Sequence, residues 1–581
     1  MSRLLRINMA DRTASFEETP AKYALMGGRW LTSTIVAEEV APTAHPLGPA
    51  NKVVFAPGIV TGTTAASSAR ISVGAKSPLT GGIKEANAGT RWSQQLARLG
   101  LKAIVVEGQP KEKGGFWGIH LTADGATFFP AGEYSGRGLY EIYPELVSRF
   151  GKTADIMGIG VAGEFSMANG GICFNDQEGR PTRYAGRGGL GAVLGSKGLK
   201  LIVVDATGTP AYLAPADKEK FEQGRKKLAD ALMSHDITKP KGGLNTYGTA
   251  VLINIMNEAG GLPTRNFSSG RFEGAASISG EALFEGNKER TGKELYNHAC
   301  SPGCIIRCSN TWHNADGSEA VSCQEYESIW SMGANCGIDS LDVTGELIRL
   351  CNDYGLDTIE AGVALGVAME GGLAKFGDAE AAIGLMHEIG KGTPLGRILG
   401  NGAAFTGRAL GVVRVPTVKG QAMPAYEPRV VKGIGVTYAT STMGADHTAG
   451  YTIAPEILGV SGKVDPFSLD KAKLSKAFQA TTAFIDTSGH CLFIAFAILD
   501  IPSGFEGMVE ESAGMVGTAW TGEDVVKIGE EVLKLERKFN EGAGLTKAHD
   551  RMPEFMLYEP LPPHNVVWDI SDAELDSVHG E

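Results

Sequence analysis

Three of the chain's eight cysteines, Cys300, Cys304 and Cys308, crowd into the run HACSPGCIIRC, and Cys491 lies far downstream in FIDTSGHCLF. Three clustered thiolates with one distant fourth meet the ligand count of a [4Fe-4S] cluster, which takes four Cys sulfurs. On a straight helix rising 1.5 Å per residue, Cys300 and Cys308 would stand ~12 Å apart along the axis, too far to grip one cube. Pro302 and Gly303 break such a helix, so the segment is free to wrap. Structural zinc and metal-free buried thiols are the competing readings. Zinc sites pair two short Cys or Cys/His knuckles, and His298 is the one imidazole close by in sequence. Radical S-adenosylmethionine enzymes also cluster three cysteines, with a shorter second gap and no fourth ligand. Cys173, Cys323, Cys336 and Cys351 read as small buried hydrophobes, with Cys323 close to an acidic pair.

A second set of residues has the chemistry of anion binding. Ala69-Arg70 through KSPLTGG, then Glu85 to Thr90 (EANAGT), then Arg183 to Gly198 (RYAGRGGLGAVLGSKG) set arginine, asparagine or lysine among glycines. Main-chain N–H groups beside an arginine suit phosphate, and glycine lets backbone approach a large ligand. A Rossmann site is disfavoured, because Gly186 to Gly191 follows no clear strand and lacks an acid at the ribose distance. Tight turns in a β-rich domain are the plain alternative.

These residues need elements to hold them, and 581 residues suffice for roughly three to four domains. The composition is globular, with 43% hydrophobic and 21% charged residues. From Arg3 to about Ala206, the runs LLRINMA, KVVFAPGIV, ARISVGA, LKAIVVEG, FWGIHL, ATFFPA and LKLIVVDA predict short strands. Helices are expected at about Arg91 to Leu99, Leu139 to Phe150 and Gly189 to Gly195. After a linker at Thr207 to Pro215 the pattern turns helical, through VTGELIRLCNDYGL, TIEAGVALGVAMEGGLAKF, AEAAIGLMHEIG and LSKAFQATTAFI, and again behind a capping box of Thr521 and Asp524. The fold class is α+β: a β-rich base at 1–206, then mainly helical domains at 207–420 and 421–581, with no internal repeat at a fixed period and an extended arm from Pro560 onward.

The 54 basic and 66 acidic residues leave a net charge of -12, which argues against nucleic acid as a partner. The longest apolar run, Cys491 to Leu499, is far short of the ~20 residues of a membrane span. No signal peptide, no membrane anchor and a reducing cytoplasm are expected.

Taken together these segments resemble the aldehyde:ferredoxin oxidoreductase family, the tungsten-dependent pterin enzymes, along essentially the whole chain. The likeness runs through AKSPLTG, ANAG, IVVEG and AGRGGLGAVLGSKGLK in the first domain, and EYESI, LCNDYGLDTI, PAYEPR, YATSTMGADHTAGY and DTSGHC beyond it. Two positions depart from the family pattern: the first cysteine gap is three residues instead of two, and Asn352 stands where an Asp leads the first Asp/Gly motif. The resemblance implies a tungsten, or else molybdenum, held by the dithiolenes of two pyranopterins beside a [4Fe-4S] cluster on Cys300, Cys304, Cys308 and Cys491. Arg70, Asn87, Gly89, Arg183 and Gly186 would face the pterin phosphates and a bridging Mg²⁺, with Asn87 and Tyr184 reaching the Mg²⁺ through main-chain oxygens. Gly355, Asp357 and Asp486 belong to the two Asp/Gly motifs, whose acids would accept hydrogen bonds from the pterins, and Cys491 would couple cluster to pterin. Glu325, Tyr426 and His447 match the catalytic positions, with Glu327 competing for the role of Glu325.

The implied activity is oxidation of aldehydes to acids, reversible in principle, with electrons leaving through the cluster to ferredoxin, a ferredoxin-like subunit or a flavoprotein subunit. A homodimer or a hetero-complex is the expected assembly. Two other readings stand beside it: the catalytic subunit of an aromatic-thioester reductase of the benzoyl-CoA type, and a non-catalytic iron-sulfur relay or assembly subunit.

Overall fold

The computed structural model describes residues 2–111 and 115–580; Met1, residues 112–114 and Glu581, the last residue of the expected tail, lie outside it. The first 206 residues build the same unit twice. In the first pass, β1 (Arg3–Asn8) and β2 (Thr13–Glu18) form a hairpin, followed by helix α1 (Gly28–Glu39), β3 (Val53–Pro57), β4 (Arg70–Lys76), β5 (Ile83–Gly89), helix α2 (Arg91–Arg98) and β6 (Leu101–Glu107). In the second, the hairpin is β7 (Trp117–Thr122) and β8 (Gly125–Pro130). Helix α3 (Leu139–Phe150), β9 (Asp155–Gly158), the short helix α4 (Val161–Glu164), β10 (Ile172–Asn175), β11 (Pro181–Ala185), helix α5 (Leu190–Ser196) and β12 (Leu199–Val204) follow.

The strand orders, β2-β1-β6-β3-β4-β5 and β8-β7-β12-β9-β10-β11, coincide. In each sheet one pair is parallel, β1 with β6 and β7 with β12, and the other pairs are antiparallel. This duplication corrects the expectation of no repeat: the copies share little sequence beyond GLKAIVVEG and GLKLIVVDA, which end each unit. The Val and Ile residues of β6 and β12 are buried on both faces, as central strands covered on two sides require. One apolar layer, with Trp92 edge-on to Phe174 at 5.3 Å, joins the sheets.

Two further expectations change. Helices in this half include α1 and α4 besides the three anticipated, and β11 leads directly to Gly186, so the glycine segment does follow a strand. That strand lies at the edge of an antiparallel hairpin, a different setting from a Rossmann unit.

The helical remainder shares one apolar core running from Leu228 to Val578. The capping box of Thr521 and Asp524 starts the helix Gly522–Gly542. The expected boundary near 420 falls in a small hairpin of Thr417–Val418 and Gln421–Ala422. The tail is no bare arm: it carries the helix Asp572–Ser577, with Trp568 buried upstream.

Two helices dock on the two copies in matching fashion. Helix Leu341–Tyr354 ends at Gly355 and helix Ala472–Ser488 at Gly489, both left-handed at φ +76° and +91°. A Cβ on Gly160 would lie 2.2 Å from the Tyr354 carbonyl oxygen, and one on Gly58 would lie 2.1 Å from the Gly489 Cα, so these contacts are backbone against backbone. Gly171 N donates to Gly355 O at 2.9 Å, and Arg70 N to Gly489 O at 3.1 Å. Asp357 N donates to Asn169 O at 3.2 Å, and Cys491 N to Ser67 O at 2.8 Å. Asp357 and Cys491 therefore occupy corresponding places on the two copies, and Asn352 corresponds to Asp486.

Candidate active site

Where the copies meet the helices, the chain encloses a cavity of about 380 Å³. Its floor includes β5 and β11, each the outermost strand of its sheet with one side unpaired. Its wall takes in Cys300, Cys304, Cys308 and Cys491, and also Arg70, Asn87, Gly89, Arg183, Tyr184, Gly186, Asp357, Asp486, Glu325, Tyr426 and His447. Of the residues singled out from sequence, Gly355 alone stays behind the lining, pressed on Gly160.

The three clustered cysteines sit on an irregular loop pinned at its base by His298 N to Ser309 O at 2.8 Å and Ser309 N to His298 O at 3.2 Å. Gly303 at φ +81° and Arg307 at φ +50° turn the chain, which is the wrapping that Pro302 and Gly303 imply. Ser67 N ties the loop to the base through Gly303 O at 3.0 Å. Cys491 arrives from the opposite side, its sulfur 3.2 Å from Arg70 Nη2. A hydrogen bond from Cys304, with Arg183 and Arg70 nearby, pulls the Cys300 thiol well below its ordinary pKa, while burial pushes Cys308 up. Among the described residues no three of these sulfurs lie within 4.8 Å of one another, wider than the grip of one tetrahedral zinc with its ~2.3 Å bonds. Cys173, Cys336 and Cys351 are buried as expected, whereas Cys323 lines the cavity at φ +69°, its thiol 3.2 Å from Thr182 O.

Glu325 and Glu327 point to different places. Glu325 caps the helix Tyr326–Met332 and accepts hydrogen bonds from Thr249 Oγ1 at 2.7 Å and Ser309 Oγ at 3.3 Å, on the cysteine side. Glu327, in the first turn of that helix, accepts from Ala425 N at 2.9 Å with Oε2 and lies 3.4 Å from His447 Nε2 with Oε1. Tyr426 packs 6.0 Å from the His447 ring and shares a 2.9 Å hydrogen bond with the Tyr451 hydroxyl. Burial raises Glu327 to about 8 and lowers His447 to about 4, so both are neutral near pH 7. Asp446 is the ionised neighbour: burial works against its charge, but Lys84 at 3.0 Å and Arg187 at 3.8 Å hold it far below the usual carboxylate range.

Sequence reasoning passed over Arg29, Lys84, Glu85, Arg187, Asp446 and Tyr451, all in the lining. Arg187 donates to Asp357 at 3.1 Å, and Arg29 is buried between Glu536 at 2.8 Å and Asp486 at 3.3 Å. Asp446 adjoins a residue already chosen, which was its available signal. Arg29 had none, because its main partner is 507 positions away.

Several buried polar atoms of lining residues make no hydrogen bond within the protein: Arg183 Nε, Glu85 Oε1, Glu327 Oε1 and His447 Nδ1. Buried polar groups are rarely left unsatisfied unless something else meets them. Five cations, five cysteines counting Cys323, and donors without partners around one space fit an anionic redox group. Thiols and arginines so placed serve electron transfer better than hydrolysis, and the chain falls among the oxidoreductases.

The comparisons with known proteins agree. The family descriptions "Aldehyde ferredoxin oxidoreductase, N-terminal domain" and "Aldehyde ferredoxin oxidoreductase, domains 2 & 3" match residues 4–206 and 223–576. The chain belongs to the aldehyde ferredoxin oxidoreductase family. It is 36% identical to a tungsten-containing aldehyde ferredoxin oxidoreductase of Thermococcus kodakarensis over 96% of this chain and 92% of that one. It is 35% identical to its counterpart in Pyrococcus furiosus over the same shares. An "Aliphatic sulfonate oxidoreductase, WOR-like subunit" of Pyrococcus furiosus is 26% identical over 92% of this chain and 85% of that one. The fold is shared with the active site complex BamBC of benzoyl coenzyme A reductase, at a TM-score of 0.78 and 18% identity over 95% of this chain and 90% of that one. Among the described residues no helix is long and apolar enough to cross a membrane.

Proposed function

We propose that this enzyme oxidises aldehydes to carboxylic acids at a tungsten bis-pyranopterin, with electrons leaving through a [4Fe-4S] cluster to a ferredoxin or a partner subunit. The observation that carries the reading is the Glu327–His447 pair, 3.4 Å apart, in the same cavity as the four cysteines. The relatives' names support tungsten and aldehyde chemistry. Cys300, Cys304, Cys308 and Cys491 hold the cluster. Arg70, Arg183 and Arg187 face the pterin side, Asp357 and Asp486 accept from pterin nitrogens, and the free edges of β5 and β11 offer the Asn87 and Tyr184 carbonyls to Mg²⁺.

Conversion of an aldehyde and water to an acid releases two electrons and two protons; when bound, the metal with its pterins supplies the two-electron sink and a Lewis acid. The chain's own residues handle the rest. As an ionised carboxylate, Glu327 takes a proton from the attacking water, leaving a hydroxyl oxygen to add to the carbonyl carbon. Once Glu327 has taken that proton, its carboxyl faces His447 Nε2 as a donor, which leaves the hydrogen of the neutral imidazole on Nδ1 to donate to the substrate oxygen, and Tyr426, held by Tyr451, donates beside it. Asp446 keeps the positive field of Lys84 and Arg187 balanced next to that oxygen.

The test joins metal analysis with kinetics. About four irons and one tungsten per chain, with aldehyde-dependent reduction of a low-potential dye, are expected; iron without tungsten and without turnover would favour the relay reading.

A further inference from the structure

We infer that the enzyme selects aldehydes by a hydrocarbon part about the size of one six-membered ring, which lies in an apolar side pocket opening off the catalytic cavity. This rests on the proposed aldehyde chemistry. The side pocket, about 150 Å³, has no charged residue in its lining. Tyr451, Leu492 and Phe493 line both spaces, so the side pocket and the catalytic cavity meet at these three side chains. Tyr451 is also the hydrogen-bond partner of Tyr426 at 2.9 Å, so the pocket begins beside the hydroxyls assigned to the carbonyl oxygen. Phe493 stacks on Phe496 at 5.8 Å and 16°, and Phe496 meets Tyr451 edge-on at 6.3 Å, giving flat walls to a ring. At its far end the pocket reaches Ala477, which is exposed, so a longer chain has an exit. Apolar cavities of ~150 Å³ stay dry and take up benzene. The lining's hydroxyls, on Tyr451, Thr481 and Thr482, come with no cation and would not repay the desolvation of a phosphate.

The experiment compares kcat/KM for cyclohexanecarbaldehyde, hexanal, acetaldehyde and glyceraldehyde 3-phosphate in the holoenzyme and in Ala495→Trp, which fills the pocket from the helix Ile494–Asp500. The parent should prefer the two six-carbon apolar aldehydes to glyceraldehyde 3-phosphate by at least about 100-fold. Ala495→Trp should lose roughly 10-fold to 200-fold on cyclohexanecarbaldehyde, the scale of hydrophobic-pocket discrimination, and stay within about twofold on acetaldehyde. If Ala495→Trp fails to fold, Ala477→Phe at the exposed end should penalise hexanal in the same sense. Calorimetry with cyclohexanecarboxylate gives a readout apart from turnover: binding should weaken at least about tenfold in the filled variant. Oxidation of all four aldehydes with similar kcat/KM, or an equal loss on all in the filled variant, overturns the inference while leaving the aldehyde reading intact. No oxidation of any aldehyde by tungsten-loaded enzyme would instead defeat the aldehyde reading.

Discussion

The two copies of the base are alike in topology and differ where they meet the cavity. On the first copy, the helix that ends in Gly489 delivers Cys491 to Arg70; on the second, the helix that ends in Gly355 delivers Asp357 to Arg187. Backbone hydrogen bonds fix both side chains in corresponding places, so the asymmetry lies in the side chains. One place sets a thiol against an arginine, at 3.2 Å. The other locks a carboxylate against a cation whose remaining charge lies near Asp446 and, through it, His447. The frame is the same in both copies, and the residues at the equivalent positions, Asp357 against Cys491 and Asn352 against Asp486, set them apart.

The largest test of that division exchanges the two places. Cys491→Ala should abolish the cluster, reducing iron from about four per chain to near zero together with its visible absorbance, while Asp357→Asn should keep the full iron content. Iron loss in both variants would erase the distinction.

The next effect belongs to proton transfer. Glu327→Gln should lower kcat by about 10²-fold to 10⁴-fold, the usual worth of a general acid or base, with tungsten and iron retained. Glu325→Gln, which faces the cysteine side, should cost less. The reverse order would move the chemistry to the electron side of the cavity. Since the Glu327 carboxyl holds its proton to about 8 and acts as the carboxylate, kcat/KM should rise with pH through about 8 and then level. The limb should vanish in Glu327→Gln; a rate that falls over this range would make Glu327 the acid.

A smaller effect concerns the docking points. Gly58→Ala and Gly160→Ala each drive a Cβ into backbone at 2.1 and 2.2 Å, and each should cost about 1–3 kcal/mol in chemical denaturation, by similar amounts. Markedly unequal losses would mean that the copies are alike in topology and unlike in mechanics.

The last is a slope, read on stability against pH. Glu85 and Glu327 keep their protons to about 8 when folded and lose them near 4.5 when unfolded, because burial penalises their charge. Between those values the unfolded chain binds fewer protons, so stability should fall as pH rises from 5 to 8. The fall should be shallower in Glu327→Gln, as followed by the midpoint of denaturant unfolding.

Much of the frame was legible because short Val- and Ile-rich runs such as LKLIVVDA and capped helices such as the one behind Thr521 announce themselves locally. β5 was not, since EANAG looks like a glycine loop and is a strand only because β4 pairs with it along its whole length. Helix α1 was hidden by Gly27-Gly28 and a β-branched middle, and it forms by packing on β3 and β4. The cysteines stood out by their own clustering and His447 through a family pattern, but the choice between Glu325 and Glu327 could not be read, because both lie within one helical turn and only the fold separates their directions. Arg29 and Glu536 carry no motif at all, and their pairing is purely a product of the tertiary structure.

That Arg29–Glu536 pair, closed across 507 positions, bears on when the enzyme can be made. Synthesis proceeds from the N-terminus, so Arg29 is made long before the helices Ala472–Ser488 and Gly522–Gly542 that bury it and carry its counter-charges. The wall that Asp486 and Cys491 complete is likewise missing until late, so the cavity closes only when nearly the whole chain has been translated.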